Sequence, residues 1–189
     1  MKLLVDDQIQ TYTPEQIVQW TDELPEWRRN QVLAYKNDAG RRQSLLAYRL
    51  LCQGLSEEYG ITEQPTFAYG EHGKPYIMDS ETAPFFSLSH CREAVCCVID
   101  ERPCGIDIES ANRHVSDSVI RYSMNEGEQA LIRESDDPQR TFLRLWTQKE
   151  ALLKLLGTGI RDNMRDILSA HSYAIESKEN ERYILSVAW

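Results

Sequence analysis

The chain has 189 residues, 41% hydrophobic and 27% charged, a balance that fits one packed domain or two small lobes sharing a core and excludes a disordered chain. Thirty acidic side chains against 21 basic ones leave a net charge of −9, so wholesale binding to nucleic acid is disfavoured by Coulomb repulsion, and an anionic ligand needs a local cationic pocket or a metal. No apolar run approaches the roughly 20 residues of a membrane helix, the opening run is too short for a signal peptide, and five cysteines without C-x-x-C spacing argue against a disulfide framework or zinc site and for a reducing cytoplasm.

In chain order, residues 14–24 predict a short helix with Pro14 in its first turn. A longer helical tract is expected over 28–55, where Leu45, Tyr48, Leu51 (or Cys52) and Leu55 keep helical spacing and Gly54 and Gly60 mark the end. Residues 62–77 are punctuated by proline and glycine and predict a loop-rich region. Strands are expected at 85–91 and 94–100, and the turn 101–103 predicts a hairpin into a third strand, 104–109. A helix is expected from Ser116 or Ser118, and another from 137–138 to Leu156, closed by Gly157 and Gly159. The tail, 171–189, predicts two strands around a polar turn. The segments 94–99 and 183–189 are both strands after helix-rich stretches, a weak sign of a duplicated lobe.

In the strand 104–109, Cys104, Ile106 and Ile108 alternate with Gly105, Asp107 and Glu109. One face is therefore oily, and the other carries two carboxylates that repel each other. In the helix 142–156, Phe142, Leu145, Trp146, Leu152, Leu153 and Leu156 form an apolar face, with Glu150 and Lys154 on its flank. Two readings stand for these charges. They are a solvated strand face and an ordinary i,i+4 surface pair, or Asp107, Glu109 and Glu150 hold a hard cation such as Mg²⁺ while Lys154 meets a phosphate oxygen. Lys149 projects into the apolar face, so it either snorkels out or meets an internal acidic partner. Gly70, Gly73 and Lys74 form a turn able to approach a phosphate. Ser89 and His90 suit one as well, and Arg28, Arg29, Arg41 and Arg42 are the densest basic patch.

The motifs Gly73-Lys74-Pro75, Ser87-Leu88-Ser89-His90, Gly105-Ile106-Asp107-Ile108-Glu109 and the run from Trp146 to Lys154, in this order, resemble those of the 4'-phosphopantetheinyl transferases. The likeness is to the monomeric kind that activates peptide synthetases and fatty-acid carriers, and it spans about 25–189. It implies an α+β fold of two similar, pseudo-twofold lobes, about 1–100 and 101–189, with coenzyme A in the cleft between them. It also implies Mg²⁺ held by Asp107, Glu109 and Glu150, and transfer of phosphopantetheine to a serine of an apo acyl or peptidyl carrier protein. For that reaction Glu150, directly or through a metal-bound water, is the expected base for the incoming serine, and Lys154 is expected to neutralise or protonate the leaving phosphate. By the resemblance, Ser89 and His90 contact the 3'-phosphate, Lys74 lies against the nucleotide, and Arg42 stands near that phosphate. On this reading Lys149 pairs with a carboxylate near the metal. Trp27 and Asn30 stand where relatives often carry two lysines, which leaves Arg28, Arg29 or Arg42 to substitute for them.

Two rival readings are a metal-dependent phosphodiesterase or nuclease, disfavoured by the lack of a basic track, and a non-catalytic coenzyme A binding module, disfavoured by the full acidic set with Lys154. Residues 112–124, with Arg113 and Arg121 among Val119, Ile120, Tyr122 and Met124, are a candidate docking segment for an acidic carrier; a core helix explains the same pattern. A cytoplasmic monomer is expected.

Overall fold

Local signals along the chain set the helix ends. The computed structural model describes residues 1–78, 83–159 and 164–189. After strand β1 (Lys2–Asp6), helix α1 (Pro14–Asp22) starts with Pro14 behind a reciprocal capping box between Thr13 and Gln16, which satisfies two of the helix's free N–H groups. Helix α2 (Glu26–Leu33) is followed by α3 (Asp38–Tyr59), capped by the Asn37 side chain and closed by Gly60 at φ 66°. A small hairpin, β2 (Phe67–Tyr69) and β3 (Pro75–Ile77), leads to β4 (Phe85–His90) and β5 (Val95–Asp100).

The second half repeats this plan. Strand β6 (Gly105–Ser110) is followed by α4 (Asp117–Ser123), α5 (Glu126–Glu134), α6 (Pro138–Leu156) and the short α7 (Ile167–Ala170), then by β7 (Ile175–Glu179) and β8 (Tyr183–Ala188). Asp137 caps α6, Pro138 opens it, and Gly157 ends it at φ 70°.

The fold is α+β. One antiparallel sheet runs β1-β5-β4 and another runs β6-β8-β7. Both have the last strand of the set in the centre, flanked by the first and the second, with the helices inserted after the first. Helix α3 packs on the first sheet and α6 on the second. The expected echo between 94–99 and 183–189 thus corresponds to the two central strands, β5 and β8.

Adjacent cysteines show how the layers meet. Cys97 joins Leu51, Leu55 and Ile99 under α3, whereas Cys96 joins Val98, Ile106, Ile108, Leu185 and Val187 between the sheets. Successive side chains of β5 therefore serve two cores, and the strand is buried on both faces. All five thiols are free.

Several expectations are corrected. The segments β5 and β6 do not form a hairpin: β1 and β4 take both edges of β5, and the chain crosses at 101–104 into the other sheet. The tract 28–55 is two helices, broken where Asn37 starts α3. The opening residues form β1, and the region 62–77 contains the β2–β3 hairpin. Helix α5 was not anticipated, although Asn125 and Glu128 form a capping box. Among the described residues, no helix is long and apolar enough to cross a membrane.

Candidate active site

The site begins with a glycine. A Cβ at Gly105 would stand 2.0 Å from the Ala151 carbonyl oxygen and 2.5 Å from the Leu155 nitrogen, so β6 lies backbone to backbone on α6. This contact turns Asp107 and Glu109 toward Glu150. The edge of β4 that pairs with no described strand flanks β6 on another side: the Ile106 N–H donates to Ser87 Oγ at 3.2 Å, and Ser89 Oγ donates to Asp107 Oδ1 at 2.8 Å.

Asp107 and Glu150 are only 6% and 8% exposed. Asp107 Oδ1 receives Lys154 Nζ at 2.8 Å, and that ammonium also donates to Ser89 Oγ at 2.9 Å and to the Leu88 carbonyl at 3.4 Å. Asp107 Oδ2 and Glu150 Oε1 are buried and accept no hydrogen bond from any described residue. Burial, and then the Asp107 charge, push the Glu150 carboxyl up to about 7, with Glu109 adding to the push and Lys154 opposing it. Glu109 is also raised, first by burial and then by Asp107; Arg113 and a hydrogen bond with the Trp146 side chain oppose that shift.

Each acid of β6 already holds an internal cation. Arg113 Nη1 donates to Glu109 Oε1, and the Arg113 guanidinium lies over the Trp146 ring, 5.2 Å from its centroid. Lys154 plays the corresponding part at Asp107. Among the described residues, no group of three His, Cys, Asp or Glu side chains is already assembled around an ion position. The donor set nevertheless fits a hard divalent cation: the Asp107 charge raises both glutamates, and two carboxylate oxygens, on Asp107 and Glu150, are buried without a proton donor.

Glu150 and Lys154 face a cleft of about 300 Å³, also lined by His72, Gly73, Lys74 and Ser87. A neighbouring hollow of about 470 Å³ shares Lys74, Pro75, Phe86 and Gly157 and adds Tyr76 and Phe85. Gly73 holds φ 83° in the β2–β3 turn, a conformation open to glycine. Lys74 Nζ donates to the Leu155 and Cys104 carbonyls at 3.0 and 3.2 Å. It therefore caps the C-terminal end of α6, where cations are favoured, and burial lowers its pKa.

The structure brings together Lys74, Ser89, Asp107, Glu109, Glu150 and Lys154. His90 sits at the exposed end of β4 and does not line the cleft; enclosure by neighbouring groups, and then the Lys154 charge, lower its pKa. Arg42 is not brought in: its guanidinium donates to the Ile9 and Tyr12 carbonyls at 2.8 and 2.9 Å. Arg28 binds Ser44, and Arg29 binds the Thr21, Asp22 and Leu24 carbonyls at the end of α1. The basic patch thus serves free carbonyls around its own helices.

Lys149 has an internal acidic partner, but not one of the three cluster acids. It is fully buried and reaches Glu128 Oε2 at 2.6 Å and the Ser123, Met164 and Arg165 carbonyls at 2.9, 2.7 and 2.8 Å, locking α5 and the segment before α7 onto α6. His72 and the Arg113–Trp146 pair were missed as site residues. The signals were His72 beside Gly73-Lys74, and Arg113 four residues after Glu109.

A family model described as the 4'-phosphopantetheinyl transferase superfamily matches residues 103–187, which carry all three acids and Lys154. The chain is 33% identical over 129 residues to 4'-phosphopantetheinyl transferase Sfp of Bacillus subtilis (strain 168), covering 67% of this chain and 56% of that one. It is 36% identical over 122 residues to 4'-phosphopantetheinyl transferase AcpT of Salmonella typhi, covering 62% and 60%. It is 39% identical over 104 residues to 4'-phosphopantetheinyl transferase HetI of Nostoc sp. (strain PCC 7120 / SAG 25.82 / UTEX 2576), covering 51% and 44%. The chain spans 44–60% of the length of these curated relatives.

Proposed function

Because the chain belongs to the 4'-phosphopantetheinyl transferase superfamily, we propose that it transfers the 4'-phosphopantetheine group of coenzyme A to a serine hydroxyl of an apo acyl or peptidyl carrier protein, releasing adenosine 3',5'-bisphosphate. The observation that carries this reading is the acidic trio of buried Asp107 and Glu150 with half-buried Glu109, two of its oxygens without a donor, beside a cleft that also presents Lys74 and Lys154. A binding module has no use for so costly a group of acids.

Asp107, Glu109 and Glu150 would hold the divalent ion, Mg²⁺ in this reading, together with the pyrophosphate of coenzyme A. When bound, the ion supplies charge withdrawal from the pyrophosphate. The reaction is an in-line displacement at phosphorus, so positioning and charge neutralisation supply most of the rate. Glu150 is the residue placed to take the proton of the incoming serine. Lys154 gives a proton or its charge to the leaving phosphate.

Lys74 and the Gly73 turn carry the nucleotide, and Ser89 and His90, at the end of β4 outside the cleft lining, would meet its 3'-phosphate where the nucleotide extends past the cleft. The nucleotide lies in the cleft between lobes of about 1–100 and 101–189. The enzyme works as a cytoplasmic monomer, and the α4 face around Arg121 and the 74% exposed Tyr122 meets the carrier.

The reading is tested by incubating the protein with coenzyme A, Mg²⁺ and a panel of purified apo-carriers, then measuring intact masses. A carrier gaining one phosphopantetheine group supports it; unchanged masses across a panel that a known transferase does load would overturn it.

A further inference from the structure

Lysine ammonium has three protons, and at Lys154 all three have acceptors within the protein: Asp107 Oδ1 at 2.8 Å, Ser89 Oγ at 2.9 Å and the Leu88 carbonyl at 3.4 Å. The acceptors come from β4 and β6, while the lysine itself comes from α6, so the group joins three elements. Ser89 Oγ gives its own proton to the same Asp107 oxygen, which fixes the carboxylate for the ammonium.

We propose that Lys154 is a tethered cation that neutralises Asp107 in the free protein and weakens divalent-ion binding there until coenzyme A draws it away, so that ion and coenzyme A bind as a coupled pair. This deepens the transferase reading and rests on it. With the ammonium held at Oδ1, an ion on the free Oδ2 would be repelled by a positive charge on the same carboxylate, so the tether weakens ion binding. The pyrophosphate offers Lys154 an alternative set of acceptors within the cleft that the residue already lines.

The geometry permits the exchange. The Lys154 side chain is 31% exposed, against 9% for Asp107, so one side of the lysine opens to the cleft while the carboxylate stays fixed. The four-carbon stem is flexible. Arg113 neutralises Glu109 in the same internal manner, but it stands on the loop after β6 with its guanidinium over Trp146 and does not line the cleft. Of the two internal cations, Lys154 is therefore the one a nucleotide in the cleft can draw away.

The test measures Mn²⁺ affinity of the full chain by electron paramagnetic resonance, with and without coenzyme A, alongside circular dichroism of each variant. Wild-type protein is expected to bind Mn²⁺ weakly alone and about 5–150-fold more tightly with coenzyme A, the usual range of coupling between two sites. Lys154→Met should bind Mn²⁺ about tenfold more tightly than wild type without coenzyme A and gain less from adding it. Lys154→Arg, which keeps the charge, should stay weak. Lys154→Gln is read in the same way as Lys154→Met and serves if the latter loses its native spectrum.

Equal coenzyme A-free affinity in wild type and both neutral variants would overturn the tethered-cation proposal while leaving the transferase reading standing. Absence of Mn²⁺ binding to wild type even with coenzyme A would overturn both.

Discussion

Gly105 and Ala151 stand backbone to backbone: a single methyl group on the first would fall 2.0 Å from the carbonyl oxygen of the second. This contact fixes the distance between the strand bearing Asp107 and Glu109 and the helix bearing Glu150. It explains why the acidic strand carries a residue with no side chain two positions before its first acid.

Gly105→Ala is expected to force β6 off α6, because both opposing groups are backbone and neither can yield. A stability loss of about 3 kcal/mol or more is expected in urea denaturation, with loss of carrier loading in the protein that remains folded. Gly54→Ala is the control. Its added methyl meets only the side-chain ends of Leu4 and Ile99 at 2.5 and 2.6 Å, so a smaller loss is expected with loading retained.

Glu150 links stability to pH in the opposite sense to an ordinary ion-paired carboxylate. Its folded value, about 7, lies above the ordinary 4.5, so between these values the folded state binds more protons than the unfolded one and stability falls as pH rises. In EDTA, Glu150→Gln should match wild type near pH 4.5 and exceed it at pH 8 by up to about 3 kcal/mol. It should also lose transferase activity. Urea midpoints at the two pH values check the first expectation, and equal midpoints at pH 8 would count against the burial argument.

Lys149 is a stability residue. Lys149→Met leaves Glu128 buried without its cation and frees three carbonyls, and a loss of about 3–5 kcal/mol is expected. Adding Glu128→Gln should recover part of this loss, giving a measurable coupling in a double-mutant cycle. Turnover per folded molecule should change little, since Lys149 does not line the cleft.

Arg113 and Arg121, grouped by sequence as one docking surface, should separate in kinetics. Arg113 is tied to Glu109 and Trp146, so Arg113→Ala should alter the divalent-ion dependence of the rate. Arg121 is exposed on α4, so Arg121→Glu should raise the apparent KM for carrier and leave that for coenzyme A unchanged. If Arg121→Glu moves neither constant, α4 is not the docking face.

The parts legible in the sequence were those with strong local signals. The amphipathic period of α6, its Asp137-Pro138 start and Gly157 stop, and the alternation in β6 each pointed to the observed element. The meeting of Glu150 with Asp107 was suggested by residue type and by resemblance, and the reason for it, the Gly105–Ala151 approach, needed coordinates. The β5–β6 hairpin failed because a three-residue turn says nothing about which edges are free, and β1, far away in sequence, had taken one of them. The basic patch misled for a related reason: Arg29 and Arg42 satisfy backbone carbonyls, and charge density does not reveal that demand. Lys149 announced a buried partner correctly but could not identify it, since Glu128 lies on a helix that sequence reading passed over.

Anomalous scattering from crystals soaked with Mn²⁺ and coenzyme A tests the central claim most directly. The account predicts one peak within coordination distance of Asp107, Glu109 and Glu150 and of the pyrophosphate, with Lys154 moved from Asp107 to a phosphate oxygen. A peak elsewhere, or a nucleotide bound with the Glu150 carboxylate remote from the ion, would contradict it.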